Sequence, residues 1–308
     1  MDIAVIAHSM IQLFVIMGLG YIMFKAGMLD RELNRKLTRI LLDVTMPAFI
    51  LASVLQQTGE RDFGVIGQAL AVTAAFYVLV PLLAFLLVKI MRVPLEQQGL
   101  YMFMYTFSNV GFMGFPVIEA LFGAEGILYA AIFNIGFNIA AFTLGVIQIN
   151  YGRSGSAGGI DLKKLLSPGV LCSVLALVFY LLNVRLPGDI VLALDMVGAI
   201  TSPLAMILVG GTLAGIRVKE VFTDLRVYPF TLVKLILLPL PVLFGMSLLI
   251  KDMLLMQVFT VLILMPVANN SVLFSLLYDN DENLAARAVF ITTLLSMVTV
   301  PGMLYFLL

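Results

Sequence analysis

Charge is scarce in this 308-residue sequence. Asp, Glu, Lys and Arg make up 12% of it, about half of the roughly 25% that a soluble domain carries. Basic and acidic residues number 18 each and the net charge is zero, so composition offers no case for a nucleic-acid or acidic partner. Tryptophan is absent, and any aromatic belt at a membrane surface must use Tyr and Phe. The single cysteine, Cys172, stands in an apolar run, which excludes a disulfide framework. There is no phosphate-cradling glycine loop followed by Lys-Ser or Lys-Thr, no zinc-ligand spacing and no nucleophile motif. The chain is therefore expected not to be an enzyme, to need no cofactor or metal, and not to drive transport with ATP by itself. The start, Met1-Asp2, lacks the basic segment of a cleaved signal peptide, so 3–24 reads as a retained span.

What is abundant is apolar surface: 62% of residues are hydrophobic and the mean hydropathy is +1.10. At this length that implies a polytopic, all-α membrane protein solvated by the lipid bilayer. Ten spans are expected, at about 3–24, 40–55, 65–88, 98–122, 127–149, 168–183, 190–214, 228–250, 252–278 and 284–307. The stretch 40–55 is short against ~20 residues and borrows length from the amphipathic stretch before it. Ser154-Gly155-Ser156-Ala157-Gly158-Gly159 is the most flexible linker. It divides the chain into 1–149, a cytoplasmic linker at 150–166, and 167–308.

Two spans are interrupted. Ser108-Asn109-Val110-Gly111-Phe112-Met113-Gly114-Phe115-Pro116 lies between apolar helical sequences, and Met265-Pro266-Val267-Ala268-Asn269-Asn270-Ser271 repeats the feature later. Proline removes a backbone donor and clashes with the preceding turn, and broken backbone survives at membrane depth only when buried in protein or lining a cavity. Paired interruptions in corresponding halves point to the binding site of a secondary transporter. The halves match in spacing: Pro47 to Pro203 is 156 residues, Pro81 to Pro239 is 158, and Ser108 to Met265 is 157. Five spans per half force opposite orientations, hence an inverted repeat with broken, crossing helices 4 and 9. Thirteen Lys/Arg fall in connectors 1–2, 3–4, 5–6 and 7–8, against Arg61, Arg185 and Lys251 on the other side. This positive-inside bias places both termini outside the cytoplasm.

If both spans break at mid-depth, two half-helices begin there, one near Gly114–Pro116 and the other near Asn270–Ser271. Free helix N-termini carry unpaired N–H groups and partial positive charge, and they attract anions. Asn109, Asn269 and Asn270 add amide donors, or they serve only as caps for broken backbone. The expected substrate-binding set is these three asparagines with Gly111, Gly114, Pro116, Pro266 and Ser271, the two prolines acting more through the shape of the backbone than by contact. Lys234 sits within span 8, where an ammonium is costly. It either holds the crossover together, offsets substrate charge, or snorkels to the interface. Its counterpart in the first half is Tyr77. Asn134 and Asn138 are one turn apart and share a face, for interhelical packing or for a role in coupling. Asp43 is four residues after Arg39, as in an interfacial pair. Arg287 is expected to pair with Asp281 or Glu282. Glu119 and Asp195 are candidate protonation sites, and Gly210-Gly211 reads as close helix packing.

Asn109-Val110-Gly111-Phe112-Met113-Gly114-Phe115-Pro116 followed by Leu121-Phe122-Gly123 resembles the auxin efflux carrier family. So do Met46-Pro47-Ala48-Phe49-Ile50, Ser202-Pro203-Leu204-Ala205, Val233-Lys234-Leu235 with Pro239, Met265-Pro266 with Asn269-Asn270-Ser271, and Thr292-Thr293-Leu294-Leu295-Ser296 with Pro301. The resemblance implies a ten-span inverted repeat similar to bile-acid symporters and sodium/proton antiporters. Spans 1, 2, 6 and 7 would form a scaffold that often dimerises, and spans 3–5 and 8–10 a mobile transport unit. The implied cargo is a small organic anion: malonate or malate for bacterial members, auxin for plant ones. The implied location is a bacterial inner membrane. The chain departs from the plant pattern in its short central connector, and its third span holds Gln68, Thr73 and Tyr77 but no ionised side chain. A sodium- or proton-coupled symporter of another solute, a passive anion channel, and a membrane sensor remain as alternatives.

Overall fold

The structure is a computed structural model that describes residues 3–56, 63–152, 168–216, 221–222 and 224–307. The glycine- and serine-rich linker and Arg61 lie outside the described residues. The described chain is helical, with one isolated β-bridge. In order, the helices are α1 (Ile3–Lys25), α2 (Arg31–Leu55), α3 (Phe63–Ile90), α4 (Leu95–Thr106), α5 (Val110–Ile149), α6 (Pro168–Leu182), α7 (Gly188–Ala214), α8 (Val227–Ser247), α9 (Met253–Leu264), α10 (Asn270–Leu277) and α11 (Glu282–Leu307). Seven of them, α1, α2, α3, α5, α7, α8 and α11, are long and apolar enough to cross a membrane, while α6 and α9 are shorter apolar helices. The protein is an integral membrane protein.

Local sequence explains the interruptions. Asp30 caps α2 by accepting from Leu33 N at 2.7 Å, a standard use of a short carboxylate at a helix start. The polar first half of α2 is braced by pairs one turn apart, Glu32–Lys36 at 2.7 Å and Arg39–Asp43 at 3.3 Å. Three helices contain a widened π turn that ends two residues before a proline: Leu41–Thr45 before Pro47, Val110–Gly114 before Pro116, and Val233–Leu237 before Pro239. A wider turn makes room for the proline ring and the missing N–H while the helix continues. At Gly123 the backbone reverses with φ 60° and ψ −153°, which glycine adopts without a Cβ clash. This splits α5 into two limbs.

Helices α1, α2, α6 and α7 pack on one another. A Cβ at Gly20 would lie 2.1 Å from Ile207 O, and one at Gly210 would lie 1.9 Å from Met17 O, so α1 and α7 touch backbone to backbone. Gly198 of α7 meets the Phe49 backbone of α2 in the same way. The remaining helices gather around α5, with α3 and α9 against it and α11 alongside α8, α9 and α10.

Candidate functional site

Between α4 and α5, residues Phe107–Asn109 leave the helix, and between α9 and α10 residues 265–269 do the same. The two gaps meet. Ser108 and Val267 form an antiparallel bridge. Asn109 N donates to Pro266 O at 2.7 Å, and Ala268 N donates to Phe107 O at 3.0 Å. Val267 N donates to Thr292 Oγ1 of α11 at 3.2 Å. Phe107, Ser108, Asn109, Met265, Val267 and Ala268 are all buried. Each interrupted helix thus satisfies backbone groups that the other has freed, which is what buried polar backbone requires.

Lys234 completes this crossover. It is 3% exposed, and its ammonium donates to Tyr105 O and to Ser108 Oγ, both at 2.9 Å. It therefore does not snorkel. A cation on a terminal carbonyl of α4 suits the negative end of that helix. Asn109 caps α5, its Oδ1 accepting from Phe112 N at 3.3 Å. Its buried Nδ2 has no partner among the described residues. The half-helix starts at Val110 rather than near Gly114–Pro116. Pro116 follows the π turn Val110–Gly114, whose wider spacing accommodates its ring and missing N–H. Gly114 lets α9 approach, since a Cβ there would meet Leu262 Cδ2 at 2.9 Å, whereas one at Gly111 would meet only Met46 Cε, at 3.5 Å.

Beside the crossover is a cavity of about 770 Å³. One wall is the start of α10, Asn269 and Asn270, with Val272, Leu273 and Leu276 beyond it and Phe112 next to it. The backbone N–H groups of Asn269 and Asn270 donate to no described residue, and Asn269 Oδ1 is likewise unpaired. Ser271 is fully buried, and its Oγ has no partner among the described residues. The opposite wall is Arg31, Asn34, Arg35, Thr38 and Leu42 of α2 together with Leu208, Gly211 and Thr212 of α7. Asn34 Nδ2 donates to Thr212 Oγ1 at 3.0 Å and to Leu208 O at 3.4 Å, fixing that wall. Exposed Glu282 and Asn283, with half-buried Arg287, complete the rim. Away from this cavity the two helix groups are in contact: Ser202 of α7 donates to Glu119 of α5, and Ser9 Oγ of α1 to Ala120 O.

The other residues singled out in the sequence lie elsewhere. Tyr77 is buried against Phe76, Phe107 and Phe133. Asn138 Nδ2 donates to Asn134 O at 2.8 Å and approaches its Oδ1 at 3.3 Å, so the two bind along one helix. Asp195 accepts from Gln56 at 2.9 Å. Arg287 is not a solvated end paired only within its own turn: it donates to Asp224, 63 residues away, at 2.9 Å. Arg226 also binds Asp224, and the two guanidiniums hold that carboxyl at about 2, below its usual 3.8. The α2 face that lines the cavity is a feature the sequence does not single out: Arg31, Asn34, Arg35 and Thr38 recur at helical spacing, but from sequence their charges bear only on topology.

An all-helical membrane protein with two interrupted helices pairing beside a cavity belongs to the class of polytopic membrane transporters. The family model described as membrane transport protein matches residues 5–159 and 155–304. The chain belongs to that family, that of the auxin efflux carriers. Among its relatives, an uncharacterized transporter of Methanocaldococcus jannaschii is 26% identical over 294 residues, 93% of this chain and 94% of the relative. An uncharacterized transporter of Methanothermobacter thermautotrophicus is 25% identical over 311 residues, 96% of each chain.

Proposed function

We propose that the protein is a secondary active transporter that moves a small organic anion, a mono- or dicarboxylate, across the plasma membrane by alternating access. The cargo rests at the start of α10 beside the crossover. The observation that carries this reading is that Asn269 and Asn270 line the cavity beside the paired broken helices and that their backbone N–H groups donate to no described residue. Such a helix end favours negative charge. Neither interruption contains a carboxylate, and among the described residues no cluster of His, Cys, Asp and Glu could hold a metal.

The packing supports a moving unit against a fixed one. Helices α1, α2, α6 and α7 form the scaffold. The others form the transport unit, held together at the crossover by Lys234. The cavity opens beside the Lys/Arg-rich connectors, while Glu119–Ser202 and Ser9–Ala120 close the far side. This is the arrangement of an inward-facing state in a molecule whose termini lie outside the cytoplasm. The ten-span inverted repeat belongs to the same reading. It is supported by the nearly equal offsets, 156 to 158 residues, between matching features of the halves, and by the pairing of α1 with α7 and of α2 with α6, contacts that exchange under such a repeat. A homodimer through the scaffold is also part of it.

The test is uptake into proteoliposomes of labelled propionate and succinate, with an amine as control, by wild type, Asn109→Ala and Asn269→Ala. Carboxylate flux that falls at least tenfold in both variants is expected. Equal flux in all three proteins would remove the site assignment.

A further inference from the structure

We infer that Arg35 is an anion-binding residue, a contact on the scaffold wall that the cargo meets only while the cavity is open as it is here. The inference rests on the organic-anion reading above.

Helix α2 lines the cavity with Arg31, Asn34, Arg35, Thr38 and Leu42, the i, i+3, i+4, i+7, i+11 spacing of one helix face. Nearly every other cation on or facing this wall is already engaged. Arg31 donates to Gly215 O at 3.1 Å. Lys36 pairs with Glu32 and Arg39 with Asp43. Across the cavity, Arg287 is held by Asp224. Arg35 is exposed, lines the cavity and makes no ion pair or hydrogen bond with a described residue. A free guanidinium presents five donors in a fork that matches a carboxylate.

Position then gives Arg35 a sided role. Its helix is tied to α7 through Asn34, so it stays with the scaffold, whereas Asn269 and Asn270 belong to the transport unit. Cargo held at α10 leaves Arg35 behind when that unit moves. Arg35 thus contributes to capture from the cavity side and not to capture from the far side. A residue that merely set membrane topology, or that bound lipid headgroups, would not discriminate between the two faces of transport.

The experiment measures KM for propionate and succinate in inside-out vesicles, where the cavity side meets the medium, and in right-side-out vesicles. The proteins are wild type, Arg35→Gln, Arg35→Lys and Lys36→Gln. Lys36 is the charge control, because it is bound to Glu32 and does not line the cavity. The expected result for Arg35→Gln is at least a tenfold rise of KM in inside-out vesicles, about 1.4 kcal/mol. Its KM in right-side-out vesicles should change less than twofold. Arg35→Lys should recover part of the loss, and Lys36→Gln should match wild type on both faces. A KM unchanged by Arg35→Gln, or raised equally on both faces, would overturn the assignment while leaving anion transport intact. Wild-type vesicles that carry neither carboxylate would instead overturn the transport reading, and this inference with it.

Discussion

Replacing Lys234 by methionine tests the crossover at its centre. The ammonium is buried and donates to two neutral acceptors, Tyr105 O and Ser108 Oγ, each at 2.9 Å. Methionine keeps most of the volume and leaves both acceptors unpaired, at about 1–3 kcal/mol each. Against this, burial of a charged group itself costs several kcal/mol even after relaxation, and that cost disappears with the charge. The two terms oppose each other and are of similar size, so Lys234→Met should change stability by less than about 2 kcal/mol. Ser108→Ala brings no such relief. It leaves the ammonium buried with one acceptor fewer, and a hydrogen bond to a charged group contributes about 1.5–3 kcal/mol. The smaller chemical change should therefore be the more destabilising one. Denaturant unfolding in lipid–detergent micelles can follow this through thiol-dye labelling of Cys172, the sole cysteine. Flux through Lys234→Met should still fall at least tenfold, because the end of α4 is no longer pinned. A loss above about 4 kcal/mol in Lys234→Met, exceeding that of Ser108→Ala, would refute the reasoning, since it would require an anionic partner for the ammonium.

Two further outcomes are expected. Gly210→Ala places a Cβ 1.9 Å from Met17 O, a backbone atom that cannot swing aside. It should destabilise the protein by about 1–3 kcal/mol, whereas Gly18→Ala, with nothing within 4 Å of its Cβ, should be neutral or slightly stabilising in the same unfolding assay. Asp224 has a folded pKa of about 2, below its ordinary 3.8, chiefly through its hydrogen bonds to Arg226. A depressed carboxylate contributes stability above the unfolded pKa and loses it as pH falls through the folded one. The stability difference between wild type and Asp224→Asn should therefore be flat from pH 5 to 8 and shrink between about pH 4 and 2. A difference that varied between pH 6 and 8 would contradict the assignment.

The interruptions at 107–109 and 265–269 were legible because Gly, Pro and Asn are out of place in apolar helical runs. The kink at Gly123 falls in the connector expected between the spans 98–122 and 127–149. The start of α5 at Val110 was not, because Asn109 caps that turn and a π turn carries the chain smoothly into Pro116. Lys234 stood out as a charge in a span, but its acceptors lie 126 and 129 residues away and no local pattern announces them. The same holds for Arg287 and Asp224. The cavity wall on α2 was written plainly in its polar spacing, yet a helix face acquires meaning only when its facing element is known, and that element is α10.

The most direct measurement is an experimental density map of the protein in lipid nanodiscs with saturating succinate. An ordered anion is expected against Asn269 and Asn270 at the start of α10, with the Ser108–Val267 pairing intact beside it. An anion ordered elsewhere while that position stays solvent-filled, or spans four and nine running as unbroken helices, would contradict it.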